Sequence, residues 1–380
     1  MQKKIYQTII IGGGISGIGC AHQLQKEKQS FLLISDNIGG RITESLTGNV
    51  EYGAYYSMST YHHVAHHIKK GRHIKPSQLQ FHNNKQAYSI FNPKLYSHPL
   101  QYLKIIFYLT KFKNHYEQFK KRSLTIPQIE ALQQDPYLWS LYQTSATKFI
   151  ETHHLLKIIQ NYLAEIIQGT TFTSINKLNA FTFLQFSLPV ILPIYELHFK
   201  KKEIEQQFNK NWIKALVTKI TKTKNGFLIN TQQQQYACRN IVMAAPPHIS
   251  KKLLKFKYPL RGPVQAHMFH LQGTLRTVWK QNEINVFSSP STMLALAHQT
   301  NNTYLFYAKT KQPSFKTYFQ KYKILSHKHW NPAFHIEGSN LLPFQPIKNV
   351  YLIGDNNICG IEDAYIYGIC AANHILKNIH

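Results

Sequence analysis

The chain has 380 residues, 43% of them hydrophobic, so it can bury a large core, and disorder is excluded as its default state. Its 44 Lys and Arg face only 17 Asp and Glu, a formal charge of +27 that attracts anions: nucleic acid, an anionic membrane surface or an anionic ligand. The basic residues are scattered in short runs such as 200–202, with no basic tail or groove motif, so specific nucleic-acid binding is not expected.

Residues 5–11 read as a buried, Ile-rich strand. The apolar run 8–11 is too short for a signal peptide and leads into glycines rather than a cleavage site. Gly12, Gly13, Gly14, Ile15, Ser16 and Gly17 follow at once, a G-x-G-x-x-G directly after a strand. Residues 20–26 continue with helical character, and 31–35 form a second apolar strand. The order suits a dinucleotide: glycines permit a tight turn and let the backbone approach a pyrophosphate at the positive end of the following helix. An acid about 20 residues on should hold the ribose hydroxyls. Ser35 stands there with Asp36 beside it, so the acid is displaced by one or Ser35 has replaced it, its hydroxyl still able to bond a ribose oxygen. Gly39, Gly40 and Arg41 come next, and V-E-Y-G-A-Y at 50–55 brings Gly53, Ala54 and Tyr55.

Farther along, His62, His63, His66 and His67 place pairs at i, i+4 on one helical face, but no acid or Cys stands nearby; a solvated helix is expected and no metal. Residues 98–190 look mainly helical. The stretch 99–122 mixes apolar and Lys positions around most of a helical wheel, which favours a buried helix over a membrane-surface one. The apolar stretch 183–197 contains Pro189 and Pro193 and falls short of the ~20 residues of a membrane span. Strands are predicted at 212–220, 227–231 and 240–245, the last running into Pro246 and Pro247, with 232–235 as a hairpin loop. Further strands are predicted at 264–273, 286–288, 293–298 and 303–309. At the C-terminus a short strand, 349–353, precedes Gly354 and Asp355, then Glu362, Asp363 and Ala364 open a helix through 375. Its N-terminus would stabilise negative charge. Cys20, Cys238, Cys359 and Cys370 show no C-x-x-C or metal spacing, which suits reduced thiols in a cytoplasmic protein.

In the glycine turn, the G-G-R at 39–41, the 50–55 element, the strand unit around 212–247 and the closing G-D segment, the sequence resembles the flavin-containing amine oxidase superfamily. That superfamily includes protoporphyrinogen oxidases, phytoene-type desaturases and the renalase group. The resemblance implies an α/β fold: a Rossmann-type FAD-binding domain from 1–60, 205–260 and 345–380, interleaved with an α+β substrate domain of mixed sheet plus helices from 61–204 and 261–344. It places Gly39, Gly40 and Arg41 at the FAD pyrophosphate and flavin, Gly53, Ala54 and Tyr55 near the isoalloxazine ring, and Val217 at the adenine. Gly354 and Asp355 would reach the ribityl or pyrophosphate portion. The turn through Glu362, Asp363 and Ala364 would aim N–H groups at the flavin N1 and O2 edge, although Asp363 stands where the family usually has glycine. FAD is expected to be non-covalent, because none of the cysteines stands where covalent members attach it.

Many members carry a lysine near flavin N5 on a substrate-domain strand; the corresponding strand here has Gln265, Ala266, His267 and Met268, with no lysine. His267 is the candidate for that place, against an ordinary core or surface histidine. Trp330, in H-W-N-P-A-F, resembles the family's tryptophan and proline segment, and with Tyr55, Tyr56 and Tyr365 is a candidate wall of the substrate pocket. The implied activity is an FAD-dependent oxidoreductase that passes a hydride from an amine or other small or lipid-like substrate to flavin N5, with reoxidation by dioxygen or another acceptor. The alternatives are a redox-neutral flavin-dependent isomerase and a catalytically weak FAD-bound scaffold with a basic surface. A cytoplasmic location, with peripheral contact to an anionic membrane, fits the charge.

Overall fold

Near-continuous runs of Ile and Leu mark strands buried on both faces, and the first of them, β1 (Ile5–Ile11), joins α1 (Ile15–Lys26) and β2 (Phe31–Ser35) in a β-α-β unit. The computed structural model describes residues 5–45, 47–48, 50–83, 86–93, 97–279, 284–289 and 291–378. Strands β3 (Tyr56–Met58), β4 (Ile68–Ile74), β5 (Leu79–Asn83) and β6 (Gln86–Ser89) follow. A helical block comes next: α2 (Pro99–Arg122), α3 (Gln128–Gln133), α4 (Pro136–Gln143), α5 (Ala146–Thr152), α6 (Leu156–Ile158), α7 (Ala164–Thr171) and α8 (Ala180–Ser187). Then come β7 (Ile194–Phe199), α9 (Lys201–Phe208), β8 (Trp212–Lys214), β9 (Val217–Thr223), β10 (Gly226–Thr231), β11 (Gln235–Met243) and α10 (Pro247–Leu254). The chain closes with β12 (Gly262–Leu275), β13 (Ile284–Phe287), β14 (Met293–His298), β15 (Thr303–Ala308), β16 (Phe319–Glu337), β17 (Val350–Leu352) and α11 (Ile361–Lys377).

One sheet runs β8-β2-β1-β11-β10-β9, with β17 beside β11. Its β1, β2, β8, β11 and β17 pair in parallel, while β9, β10 and β11 form an antiparallel meander. Register places Ile9 between Leu32 and Ile241, so the sheet centre is aliphatic on both sides. A second sheet runs β16-β12-β15-β14-β13-β5-β6, antiparallel except where β5 joins β13. A small antiparallel sheet, β3-β7-β4, lies between them in sequence.

The helical block packs on one stripe of α2: Ile105, Leu109, Phe112, Tyr116 and Phe119 are buried at helical spacing. Phe181 of α8 meets Phe112, Tyr116 and Phe119 edge-on. The expectation of a buried helix over 99–122 holds for this stripe alone, since Leu100, Leu103 and Phe107 are exposed. The histidines at 62–67 sit on a single 3-10 turn, Val64–His66, rather than along a helix face.

That turn and α2 are tied to α11 by two buried carboxylates. Glu362 accepts the backbone N–H groups of His62, His63 and Val64 at 2.8, 2.9 and 3.0 Å. Asp363 accepts the Tyr116 hydroxyl at 2.6–2.7 Å, and the Gln185 amide donates to that hydroxyl at 2.8 Å. Burial pushes the Asp363 carboxyl up to about 6, with Glu362 adding to the rise and the Tyr116 hydroxyl and Lys120 opposing it. A carboxyl raised in the folded state contributes stability that is complete below its ordinary value and lost as pH rises through about 6. Asp363→Asn keeps an acceptor for Tyr116 and cannot ionise. The variant is expected to be more stable than wild type by about 2 kcal/mol near neutral pH and to lose that advantage near pH 4. Thermal melts across this range check it; parallel curves would refute the shift.

Candidate functional site

The glycine turn between β1 and α1 divides its work residue by residue. Gly12 has φ +115°, and a Cβ there would lie 2.8 Å from the Ala244 carbonyl carbon. Side chains at Gly13 and Gly17 would strike the carbonyl oxygens of Asn37 and Gly12. These three close the turn and seat the helix against the sheet. Gly14 differs: a Cβ there would meet nothing within 4 Å, and its φ of −71° suits any residue. It borders open space as the N-cap of α1, where unpaired N–H groups and the helix dipole favour an anion. Gly39 donates its N–H to the Gly13 carbonyl at 2.8 Å, setting the second glycine pair across from the first.

At the end of β2 the Ser35 hydroxyl is spent on the Asn37 carbonyl, 2.6 Å away. Asp36 beside it is exposed and lines the cavity described next. Arg41 reaches from after the second strand to the far end of the chain: its guanidinium pairs with Asp355 at 2.6 Å and donates to the Ala333 carbonyl at 2.5 Å. Burial alone would raise the Asp355 carboxyl, but Arg41 holds it below the usual carboxylate range.

Apart from Gly17, these groups line one cavity of about 1060 Å³, at the upper limit of the ~300–1,000 Å³ usual for small-molecule sites and roomy enough for a large ligand. Ala215, Val217, Ala244, Ala245 and Ile249 line one end. Past Arg41 the wall becomes aromatic. Tyr55, Trp330, Tyr307, Phe172 and Phe334 line it, with Phe172 stacked against Tyr307 and Phe334 at centroid distances of 6.1 and 5.6 Å. The Tyr307 hydroxyl donates to the Tyr52 carbonyl at 2.9 Å, fixing its ring. Beyond lies an aliphatic arm that includes Leu79, Ile105, Ile158, Ile166, Ile194 and Val286. Among the described lining residues the fully charged side chains are Asp36, Arg41 and Asp355, all in the first half; no lysine or glutamate is present.

Of the residues singled out from sequence, Gly12, Gly13, Gly14, Ile15, Ser16, Ser35, Asp36, Gly39, Gly40 and Arg41 line this cavity. So do Gly53, Ala54, Tyr55, Val217, Trp330, Gly354, Asp355 and Ala364. Gly17 lies behind the turn. Four of the expected side chains face elsewhere. Tyr365 is not on the lining, its hydroxyl bonded to His22 and His67 at 2.6 and 3.1 Å. The side chains of Glu362 and Asp363 point away from the cavity, held by the backbone at 62–64 and by Tyr116, which leaves the expectation for that turn's N–H groups untouched. His267 also misses it: alternation along β12 sends Ala266 and Met268 into the core beside Tyr55 and Trp330, and His267 to the opposite face. There it stacks on His329 with centroids 4.1 Å apart and bonds His327 at 3.0 Å. Sequence reasoning missed Tyr307, Phe172 and Phe334. The run 303–308 is apolar on both faces and so does not single out Tyr307, and nothing local distinguishes Phe172 at the end of α7. Among the described residues no three His, Cys, Asp or Glu side chains are grouped to hold a metal ion.

Residues 10–70 match the family described as NAD(P)-binding Rossmann-like domain. No curated protein matches the chain in sequence. Solved structures do match over the whole chain. A doubly substituted putrescine oxidase superposes with a TM-score of 0.72 at 12% identity, covering 98% of this chain and 99% of its own. Cyclohexylamine oxidase from Brevibacterium oxydans IH-35A gives 0.68 at 13% identity over 99% and 100%. A protein of Exiguobacterium sp. 255-15 described as a protoporphyrinogen oxidase gives 0.63 at 9% identity, covering 99% of each chain. The chain therefore has the amine oxidase fold: a Rossmann-like, largely parallel sheet with a separate mixed sheet on the substrate side.

The glycines separate folding from binding. Gly14→Val is expected to melt within a few degrees of dinucleotide-free wild type yet retain no dinucleotide through purification, because its side chain fills the cradle. Gly17→Val is expected not to fold, since its Cβ overlaps the Gly12 carbonyl. Full dinucleotide occupancy in Gly14→Val would refute the cradle.

Proposed function

We propose that the protein is an FAD-dependent oxidoreductase whose substrate is apolar rather than a cationic amine. The observation that carries this is the single cavity that runs from the Gly14 cradle, past an aromatic wall, into a mainly aliphatic arm on which no described lining residue is a carboxylate. An amine substrate is cationic at neutral pH and would lose its hydration there with no anion to compensate.

FAD rather than a nicotinamide dinucleotide is favoured because the cradle continues past the first β-α-β unit. Gly39, Gly40 and Arg41 on one side, and Gly354, Asp355 and the start of α11 on the other, face the same space, and a simple nicotinamide site has no use for them. The bare backbone at Gly14 fits a pyrophosphate, and the N-terminus of α1 with Arg41 supplies its donors. Asp36 would hold a ribose, Val217 the adenine, and Asp355 the ribityl or pyrophosphate portion. Gly360, Ile361 and Ala364, at the N-terminus of α11, line the cavity where a developing negative charge would be stabilised. FAD, when bound, supplies the hydride acceptor at N5 and hands electrons to dioxygen or another oxidant. The protein's part is packing: Tyr55, Trp330 and Tyr307 hold the substrate carbon in line and exclude water. Among the described lining residues no lysine or glutamate is present and His73 is the one histidine, so the work assigned to the wall is orientation.

Three measurements test the reading. Denaturation should release FAD near one equivalent, with the yellow colour in the supernatant after acid precipitation. Asp355→Ala should weaken FAD binding roughly ten- to a hundredfold, the worth of a charge-assisted hydrogen bond. An unchanged affinity would remove Asp355 from the site. Under nitrogen, putrescine and cyclohexylamine should leave the flavin absorbance unchanged, and bleaching by either at a catalytic rate would overturn the apolar assignment.

A further inference from the structure

The aliphatic arm reaches the surface beside α2, and the surface there is unusual. Leu100, Leu103 and Phe107, spaced i, i+3, i+7, are 73, 64 and 62% exposed on the helix face opposite the buried Ile105, Leu109 and Phe112. Lys104 and Lys111, four residues after Leu100 and Phe107, are exposed on the same outer face. The Gln101 side-chain oxygen accepts the backbone N–H groups of Lys157 and Ile158 at 3.0 and 3.1 Å, which clamps α6 to the first turn of α2. That contact brings the exposed Leu156 and Lys157 beside the stripe.

Two further residues connect this face to the cavity. Tyr102 and Phe91 are exposed and also line the cavity, while Ile105 and Ile158, one step inward, line it from the buried side. The mouth therefore opens among the exposed apolar residues. The sequence that carries this face is basic: no Asp or Glu stands between Glu51 and Glu117. Among the described residues no helix is long and apolar enough to cross a membrane.

We propose that this face docks peripherally on an anionic lipid surface, with Leu100, Leu103 and Phe107 entering the headgroup boundary, so that the cavity mouth opens onto lipid. An apolar stripe flanked by lysines is the pattern of a helix lying in a membrane interface. The inference deepens the apolar-substrate reading and rests on it for its purpose: a substrate that partitions into lipid then reaches the cavity without crossing water. The docking surface itself stands on exposure and charge.

The test uses the full chain with vesicles of phosphatidylcholine alone and with phosphatidylglycerol added. Wild type should float with the anionic vesicles, less so as salt rises. The triple variant L100E/L103E/F107E, altered at exposed positions that do not line the cavity, should lower partition by about a hundredfold with melting temperature and FAD content unchanged. A second probe, Leu103→Trp, should shift its emission to the blue with anionic vesicles and be quenched by brominated acyl chains. Wild type that stays in solution with both vesicle types overturns the docking, as does a triple variant that floats as well as wild type. So does a stripe that instead drives self-association abolished in the triple variant, without vesicle binding. FAD content and flavin reduction, read on the same samples, keep the two readings apart: flotation without FAD sinks the oxidoreductase and leaves the docking, and FAD without flotation does the reverse.

Discussion

The contact between α1 and α11 is the constraint on which the site depends. A Cβ at Gly19 would strike the Tyr365 carbonyl, and one at Gly368 would strike the Ser16 carbonyl, so the two helices touch backbone to backbone. Any larger residue at either position would part them. Because they lie so close, residues of their N-terminal ends, Gly14, Ile15 and Ser16 in one and Gly360, Ile361 and Ala364 in the other, line one cavity. Two positive helix ends then converge on the same space from opposite ends of the sequence. The parallel strands β1 and β17, both paired with β11, set the helices side by side. The glycines set the distance.

The same helix anchors the substrate side. Glu362 and Asp363 stand in the first turn of α11, where acids suit the dipole, yet neither is offered to a ligand. Glu362 satisfies three consecutive backbone amides at 62–64, and Asp363 with Tyr116 and Gln185 joins α11 to α2 and α8. Buried carboxylates are costly without partners. Here the partners come from the helical block and from the turn before β4, so the block that walls the aliphatic arm is registered against the helix that borders the cradle.

Sequence showed the parts whose geometry is local. A strand, a glycine turn and a helix within 5–26 determine the cradle from adjacent residues, and the 349–375 strand and helix are of the same kind. It was silent where partners are distant. β16 spans Phe319–Glu337 as an edge strand of largely exposed Lys, His and Tyr, paired only with β12, and carries no alternation to announce it. The direction of Asp363 depends on Tyr116, far away in the chain, so position alone could not separate a ligand contact from a structural one. His267 is different: period-two alternation puts it on the face opposite Ala266 and Met268, away from the cavity though still buried. The helix over 99–122 looked uniform on a wheel because its two apolar stripes serve different surroundings, one the core and one the solvent.

The electrostatics of the cavity and of the surface are separate matters. Arg41 is the one lysine or arginine among the described lining residues, and Asp355 already neutralises it at 2.6 Å. A buried ion pair is weak support for stability, since desolvation offsets most of the attraction. What the pair does secure is orientation: the guanidinium is held between Asp355 and the Ala333 carbonyl with the Phe334 ring 5.6 Å from its centre. With Asp36 added, the side chains of the cavity carry no excess of positive charge to draw in a pyrophosphate. For the dinucleotide proposed above, fixed backbone N–H groups at the two helix ends would then supply most of the attraction, with Arg41 as a donor whose charge is already balanced, and such groups act only at short range and in one orientation. The surplus of basic residues lies outside the cavity, where long-range fields select a surface rather than a ligand.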